Sequence, residues 1–151
     1  MTTFSARVAW ARGEGSFTDG RYSRGHSWTF DGGLTVPASA SPHNVPLPYA
    51  VAENVDPEEA YVAALSSCHM LFYLWIASKK RIGIESYVDD AIGLMETIEG
   101  KTLVSRVDLR PRVVYSGDAP TREAEEDMHH QAHDLCFLAN SVKTVIEVRL
   151  D

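Results

Sequence analysis

Two thiols carry the most reactive chemistry in this chain of 151 residues: Cys68, in Leu65-Ser66-Ser67-Cys68-His69-Met70, and Cys136, in Asp134-Leu135-Cys136-Phe137-Leu138. A pair of cysteines reads in three ways, as inert core thiols, as metal ligands or as a redox couple. A thiol among apolar side chains is ordinarily held protonated, so nucleophilic sulfur needs a cation nearby to favour the thiolate. Gly20-Arg21-Tyr22-Ser23-Arg24-Gly25-His26 supplies two guanidinium groups, Arg21 and Arg24, which keep their charge even when partly buried. They read equally well as solvated loop charges. His129, His133 and Cys136 recur at intervals of four and three, on one face of a helix, and two imidazoles with a thiolate are zinc donors. A His-x-x-x-His spacing is common by chance, so no metal is expected, with His133 packing near Cys136. His69 reads as a hydrogen-bonded core histidine without a catalytic role, and His130 as exposed.

Both cysteines fall where the pattern predicts helix. Asp56-Pro57-Glu58-Glu59 is a helix start: Asp56 caps, Pro57 suits the first position, and two acids meet the positive end of the dipole. From Ala60 to Ser78 no Asp, Glu, Lys or Arg occurs; Lys79-Lys80-Arg81 and Gly83 then end the helix. Pro120, Glu123, Glu125 and Glu126 open a second helix with an apolar stripe of Met128, Ala132 and Leu135, ended by Asn140. Around the helices lie period-two segments. Phe4, Ala6, Val8 and Trp10 predict a half-buried first strand, and His26–Phe30 and Leu34–Val36 flank Asp31-Gly32-Gly33 as a hairpin. A surface loop follows from Pro37 to Pro48. Residues 91–98 and 102–115 flank Glu99-Gly100-Lys101 as a second hairpin, and residues 144–150 form a last strand. This order predicts a single α+β domain over residues 1–151, with antiparallel sheets and a long buried central helix.

The net charge of -7 argues against nucleic acid and against an anionic membrane surface, both of which reward clustered Lys and Arg. The uncharged helix is long enough for a membrane span. Ser66-Ser67-Cys68-His69 at its middle, with strand patterns on both sides, instead predicts a helix buried in a core or a dimer interface. Met1-Thr2-Thr3-Phe4-Ser5 has no basic segment leading into an apolar one, so a cytoplasmic location is expected.

The chain resembles the OsmC and organic hydroperoxide resistance proteins, closest to their OsmC-like branch. The resemblance covers most of the chain and rests on Asp56-Pro57-Glu58-Glu59, on the run from Ala63 to Met70, on Ala132-His133-Asp134-Leu135-Cys136 with the six residues after it, and on Tyr22 to Gly33. It implies a thiol-dependent peroxidase. Cys68 is then the peroxidatic thiol, Arg24 (in preference to Arg21) stabilises its thiolate, Glu58 orients the arginine, and Cys136 resolves the sulfenic acid as a disulfide. The family's active site forms where two intertwined subunits meet, so a homodimer is implied. Ten residues along one straight helix span about 15 Å, so either the helix bends or Glu58 serves the other subunit. No cofactor is implied; the substrate is a small hydroperoxide, fatty or aryl, in a pocket around Phe72, Tyr73 and Trp75, and the reductant is a dithiol such as a lipoyl group. Phe137 stands where many members have Pro, which leaves substrate range open. Two rival functions use the same scaffold: a metal- or ligand-binding dimer, and a redox sensor that passes its disulfide to a partner.

Overall fold

The computed structural model describes residues 1–150 and divides into two compact units, Met1–Ala60 and Tyr61–Asp151. In the first, β1 (Ala6–Ala9), β2 (His26–Phe30) and β3 (Thr35–Ala38) form an antiparallel sheet in that order, with Val8 opposite Trp28 and Trp28 opposite Val36. Gly33 takes a positive φ of 86° at the β2–β3 turn and donates its N–H to Phe30 O, which suits a residue without Cβ. The expectation of a half-buried β1 fails: all four of its residues are exposed, Val8 at 65%. Alternation is enough to make a strand, but burying one face takes a covering layer, and this edge strand has none. The predicted surface loop is also partly interior. Ser39 and Ser41 are buried, and Ser39 Oγ accepts the Val51 N–H at 2.9 Å.

The long helix α1 runs without interruption from Pro57 to Lys79. Asp56 Oδ1 accepts the Glu59 N–H at 2.8 Å and Glu59 Oε1 accepts the Asp56 N–H at 2.9 Å, a reciprocal capping box. At the other end Arg81, not Gly83, adopts the left-handed conformation (φ 60°), and Ile82 N–H bonds back to Ala77 O.

In the second unit follow β4 (Ile84–Asp89), β5 (Ile92–Ile98), β6 (Lys101–Leu109), β7 (Pro111–Tyr115), α2 (Arg122–Leu135), a single 3-10 turn at Ala139–Ser141, and β8 (Val145–Val148). β4 went unpredicted. It pairs antiparallel with β7, while β5, β6 and β8 form a second sheet in which β8 runs parallel to β6. Positive φ at both Glu99 (50°) and Gly100 (76°) closes the tight β5–β6 hairpin. Asp89 Oδ1 accepts the Arg110 N–H at 2.6 Å, where the chain leaves one sheet for the other.

One stripe of α1, including Leu65, His69, Tyr73 and Ala77, is buried. Its lower end packs with Val107 and Leu109 of β6; its upper end packs with Met128 and Ala132 of α2. Each large apolar side chain so buried contributes about 1.5–3 kcal/mol relative to exposure. By length and composition alone α1 could also cross a membrane. The opposite stripe is open, with Leu71 at 59% and Trp75 at 52% exposure.

Candidate active site

Cys68 sits at the middle of α1 on the open stripe, half-buried, and is a free thiol; Cys136 is free and buried. The sequence placed Cys136 inside the second helix, but α2 stops at Leu135, one residue short of it. Cys136 is the C-cap, with extended backbone angles and its N–H donated to His133 O. Leaving the helix there turns the side chain toward α1. Cys68 and Cys136, 68 residues apart in sequence, are neighbours in the fold. Burial first, then the neighbouring Cys68 side chain, push the Cys136 thiol up to about 11. The Ala139 N–H, 3.4 Å from Cys136 Sγ, pulls the other way without overcoming burial. At neutral pH Cys136 is therefore a proton-bearing thiol.

Cys68 opens on an apolar groove of about 660 Å³ whose walls also include Leu71, Phe72 and Trp75 from α1, and Phe137 and Leu138 from the segment after α2, while Cys136 lies buried behind it. Phe72 and Trp75 were expected there. Tyr73 was too, but it faces the core with no exposure, donating its hydroxyl to Tyr115, which donates in turn to Glu125 Oε1. The sequence reading missed the other wall, Phe137 and Leu138, because the residues past a helix end have no period from which to read a face.

Of the two arginines, Arg21 is committed to Asp19, at 2.5 Å, and lies largely in solvent. Arg24 is part-buried. Its Nη1 donates to Gly20 O and Tyr22 O at 2.6 Å each, and its guanidinium lies 3.8 Å over the Tyr22 ring. His26 accepts the Trp28 indole N–H on Nε2 and so donates Nδ1–H to the Arg24 carbonyl, which anchors the backbone at that residue. Carbonyls and a ring thus hold Arg24 in place, and no carboxylate neutralises it among the described residues. Glu58 is likewise uncommitted to its own helix end, since Glu59 does the capping. Asn44 Nδ2 donates to Glu58 Oε1 at 3.2 Å, while Oε2 is shielded from solvent without a hydrogen-bond partner. Arg24 and Glu58 share no ion pair among the described residues. Because α1 is continuous, Glu58 and Cys68 stand about 15 Å apart along its axis.

Behind Cys68, His69 points into the core and Nε2 meets His129 Nδ1 at 2.9 Å, with Tyr73 stacked on His129. The expectation that His69 is a hydrogen-bonded core histidine holds for one nitrogen; among the described residues His69 Nδ1 and His129 Nε2 have no hydrogen-bond partner. Burial holds both rings neutral, lowering His69 to about 4 and His129 to about 3, each assisted by a neighbouring histidine. His130 is exposed, as expected. Among the described residues no three His, Cys, Asp or Glu side chains are grouped to hold a metal ion.

Residues 51–151 match the family model described as OsmC-like protein. An OsmC-like protein of unknown function from Vibrio cholerae is 54% identical, each chain covered over 100% of its length, with a TM-score of 0.96. More distant is an organic hydroperoxide resistance protein from Elizabethkingia anophelis, 19% identical over 99% of this chain and 94% of that one, TM-score 0.73. Another, from Legionella pneumophila, is 17% identical over 99% and 96%, TM-score 0.70. These two likenesses establish a shared fold. No curated protein matches the sequence.

Proposed function

This chain belongs to the OsmC-like protein family, and from that premise we propose that it is a thiol-dependent peroxidase acting on organic hydroperoxides, with Cys68 as nucleophile and Cys136 as resolving thiol. One observation carries the reading: a buried Cys136 thiol, held protonated, neighbours a half-buried Cys68 that lines an apolar groove. In the first step the Cys68 thiolate attacks the outer peroxide oxygen. The O–O bond breaks, the alkoxide takes a proton and leaves as alcohol, and Cys68 becomes a sulfenic acid. In the second, Cys136 attacks that sulfur; an S–S bond forms, and the sulfenic hydroxyl leaves as water with the Cys136 proton. Two electrons come from the two thiols, and a dithiol reductant, such as a lipoyl group, restores them by exchange in a reducing cytosol.

Arg24 is the cation we assign to the Cys68 thiolate. It is the guanidinium with no acid of its own, whereas Arg21 is bound to Asp19. Glu58, with one carboxylate oxygen unpartnered, orients Arg24 in a homodimer in which the N-terminal end of α1 serves the Cys68 of the second copy. Exposed apolar side chains on β5, such as Ile92, Leu94 and Met95, favour such a pairing. The proposal treats residues 1–151 as one functional domain, since the Vibrio protein aligns along its entire length.

The test is to mix reduced protein with cumene hydroperoxide or hydrogen peroxide and follow free thiols and intact mass. Rapid loss of both thiols with a mass fitting a Cys68–Cys136 disulfide is expected, and repeated turnover once a dithiol is supplied. Disulfide formation without turnover would favour a redox sensor, and retention of both thiols would end the proposal.

A further inference from the structure

Phe72 and Phe137 bracket the sulfur pair from its two chain segments. Phe72 lies one helical turn beyond Cys68 on the open stripe of α1, and Phe137 directly follows Cys136. Their ring centroids are 5.0 Å apart at an interplanar angle of 89°, an edge-to-face pair within the groove wall. Phe137 is 72% exposed, although its backbone is pinned by the Ser141 hydroxyl, which donates to the Phe137 carbonyl at 2.6 Å. An aromatic ring left this open, on a fixed backbone beside the reacting sulfurs, has a face and an edge available to a third ring. Trp75, three residues beyond Phe72, lines the same groove and is half exposed.

We infer that the Phe72–Phe137 pair selects hydroperoxides with an aromatic tail over straight-chain alkyl hydroperoxides, so that these two residues determine specificity. The inference rests on the peroxidase reading of Cys68. The physical ground is a division of labour. Leu71 and Leu138 grip any apolar tail in proportion to the area they cover, without regard to its shape. A ring packed edge-to-face or offset on another ring gains an electrostatic fit that an alkyl chain of equal area lacks. A groove of about 660 Å³ also has the size of sites that enclose drug-sized ligands, leaving room for a ring between the phenylalanines and Trp75.

The experiment is the ratio of kcat/KM for cumene hydroperoxide to that for a straight-chain hydroperoxide of equal carbon count. Phe137→Leu and Phe72→Leu keep the wall apolar and remove the ring. Each should lower the ratio by about three- to tenfold, and Phe137→Tyr should restore most of it. An unchanged ratio in both leucine variants overturns the inference, as does a Tyr variant no better than Leu. Should the wild type consume no peroxide at all, the peroxidase reading fails separately. Selectivity is then read in Cys68→Ser protein from the change in Trp75 fluorescence, with Trp75→Phe as blank, on adding 2-phenyl-2-propanol or an alkyl alcohol of equal carbon count. Aryl preference lost in Phe137→Leu supports the inference, and equal binding of the two alcohols overturns it.

Discussion

Cys68 and His69 are neighbours in the chain, yet α1 turns them to opposite surroundings. The cysteine faces an apolar groove open to solvent, beside the Cys136 thiol. The histidine faces a closed core and meets a second histidine and a chain of tyrosines ending on Glu125. Both stripes come from one uncharged segment, so composition does not distinguish them. The difference lies in what packs against each. The open stripe keeps a reactive group reachable among side chains that repel water, whereas the closed stripe stores polar groups that have lost their hydration and are only partly repaid by hydrogen bonds. The two should therefore fail in different ways: changes on the open stripe should alter chemistry and leave stability alone, and changes on the closed stripe should do the reverse.

The largest expected effect is Cys68→Ser, which should reduce peroxide consumption by several orders of magnitude, to the uncatalysed rate. Its urea midpoint should stay close to wild type, as for substitutions away from the core, and a large loss of stability would show that Cys68 belongs structurally to the closed stripe. Cys136→Ser should still react once with peroxide but leave Cys68 as a sulfenic or over-oxidised acid, detectable by mass; full turnover would remove Cys136 from the cycle.

Next in size is the acid response of the closed stripe. His69 and His129 titrate near 4 and 3 in the fold against about 6.5 when unfolded, so the unfolded chain takes up protons first. Stability should be level above pH 6.5 and fall as pH drops toward 4, by about 1.4 kcal/mol per pH unit for each histidine. Unfolding curves across this range measure the slope, and replacing the pair together as His69→Leu with His129→Phe should flatten it. A slope that survives the double substitution would place the acid sensitivity elsewhere.

Arg24→Ala should slow thiol oxidation by about tenfold or more, whereas Arg21→Ala should stay within about twofold. The opposite pattern, read by stopped-flow with cumene hydroperoxide, would assign the role to Arg21. The smallest effect belongs to Tyr115→Phe, which removes the link between Tyr73 and Glu125. It should cost about 1–2 kcal/mol in denaturant unfolding and leave turnover unaltered.

The parts that could be read from the chain are those governed by neighbours a few residues away. Asp56-Pro57-Glu58-Glu59 announces the start of α1, because capping and dipole effects act within one helical turn. Glu99 and Gly100 likewise mark a hairpin through backbone angles of their own. β4 escaped because Ile84-Glu85-Ser86-Tyr87-Val88-Asp89 follows directly on the helix and alternates weakly, so that its pairing with β7 is what makes it a strand. The parallel alignment of β8 with β6 escaped for a related reason: a strand's own residues do not reveal the direction of its partner.

Residue type and local pattern settled that this protein has two helices among strands, two thiols, and a long segment with no charge. Packing alone decided that α2 releases the chain one residue before Cys136, that the two cysteines become neighbours, and that His69 finds His129, 60 residues away. Helix and turn signals are short-range and act within a few residues. Which stripe of an apolar helix is covered, and which thiol is driven to stay protonated, depends on burial and contacts that exist only once distant segments have closed on one another.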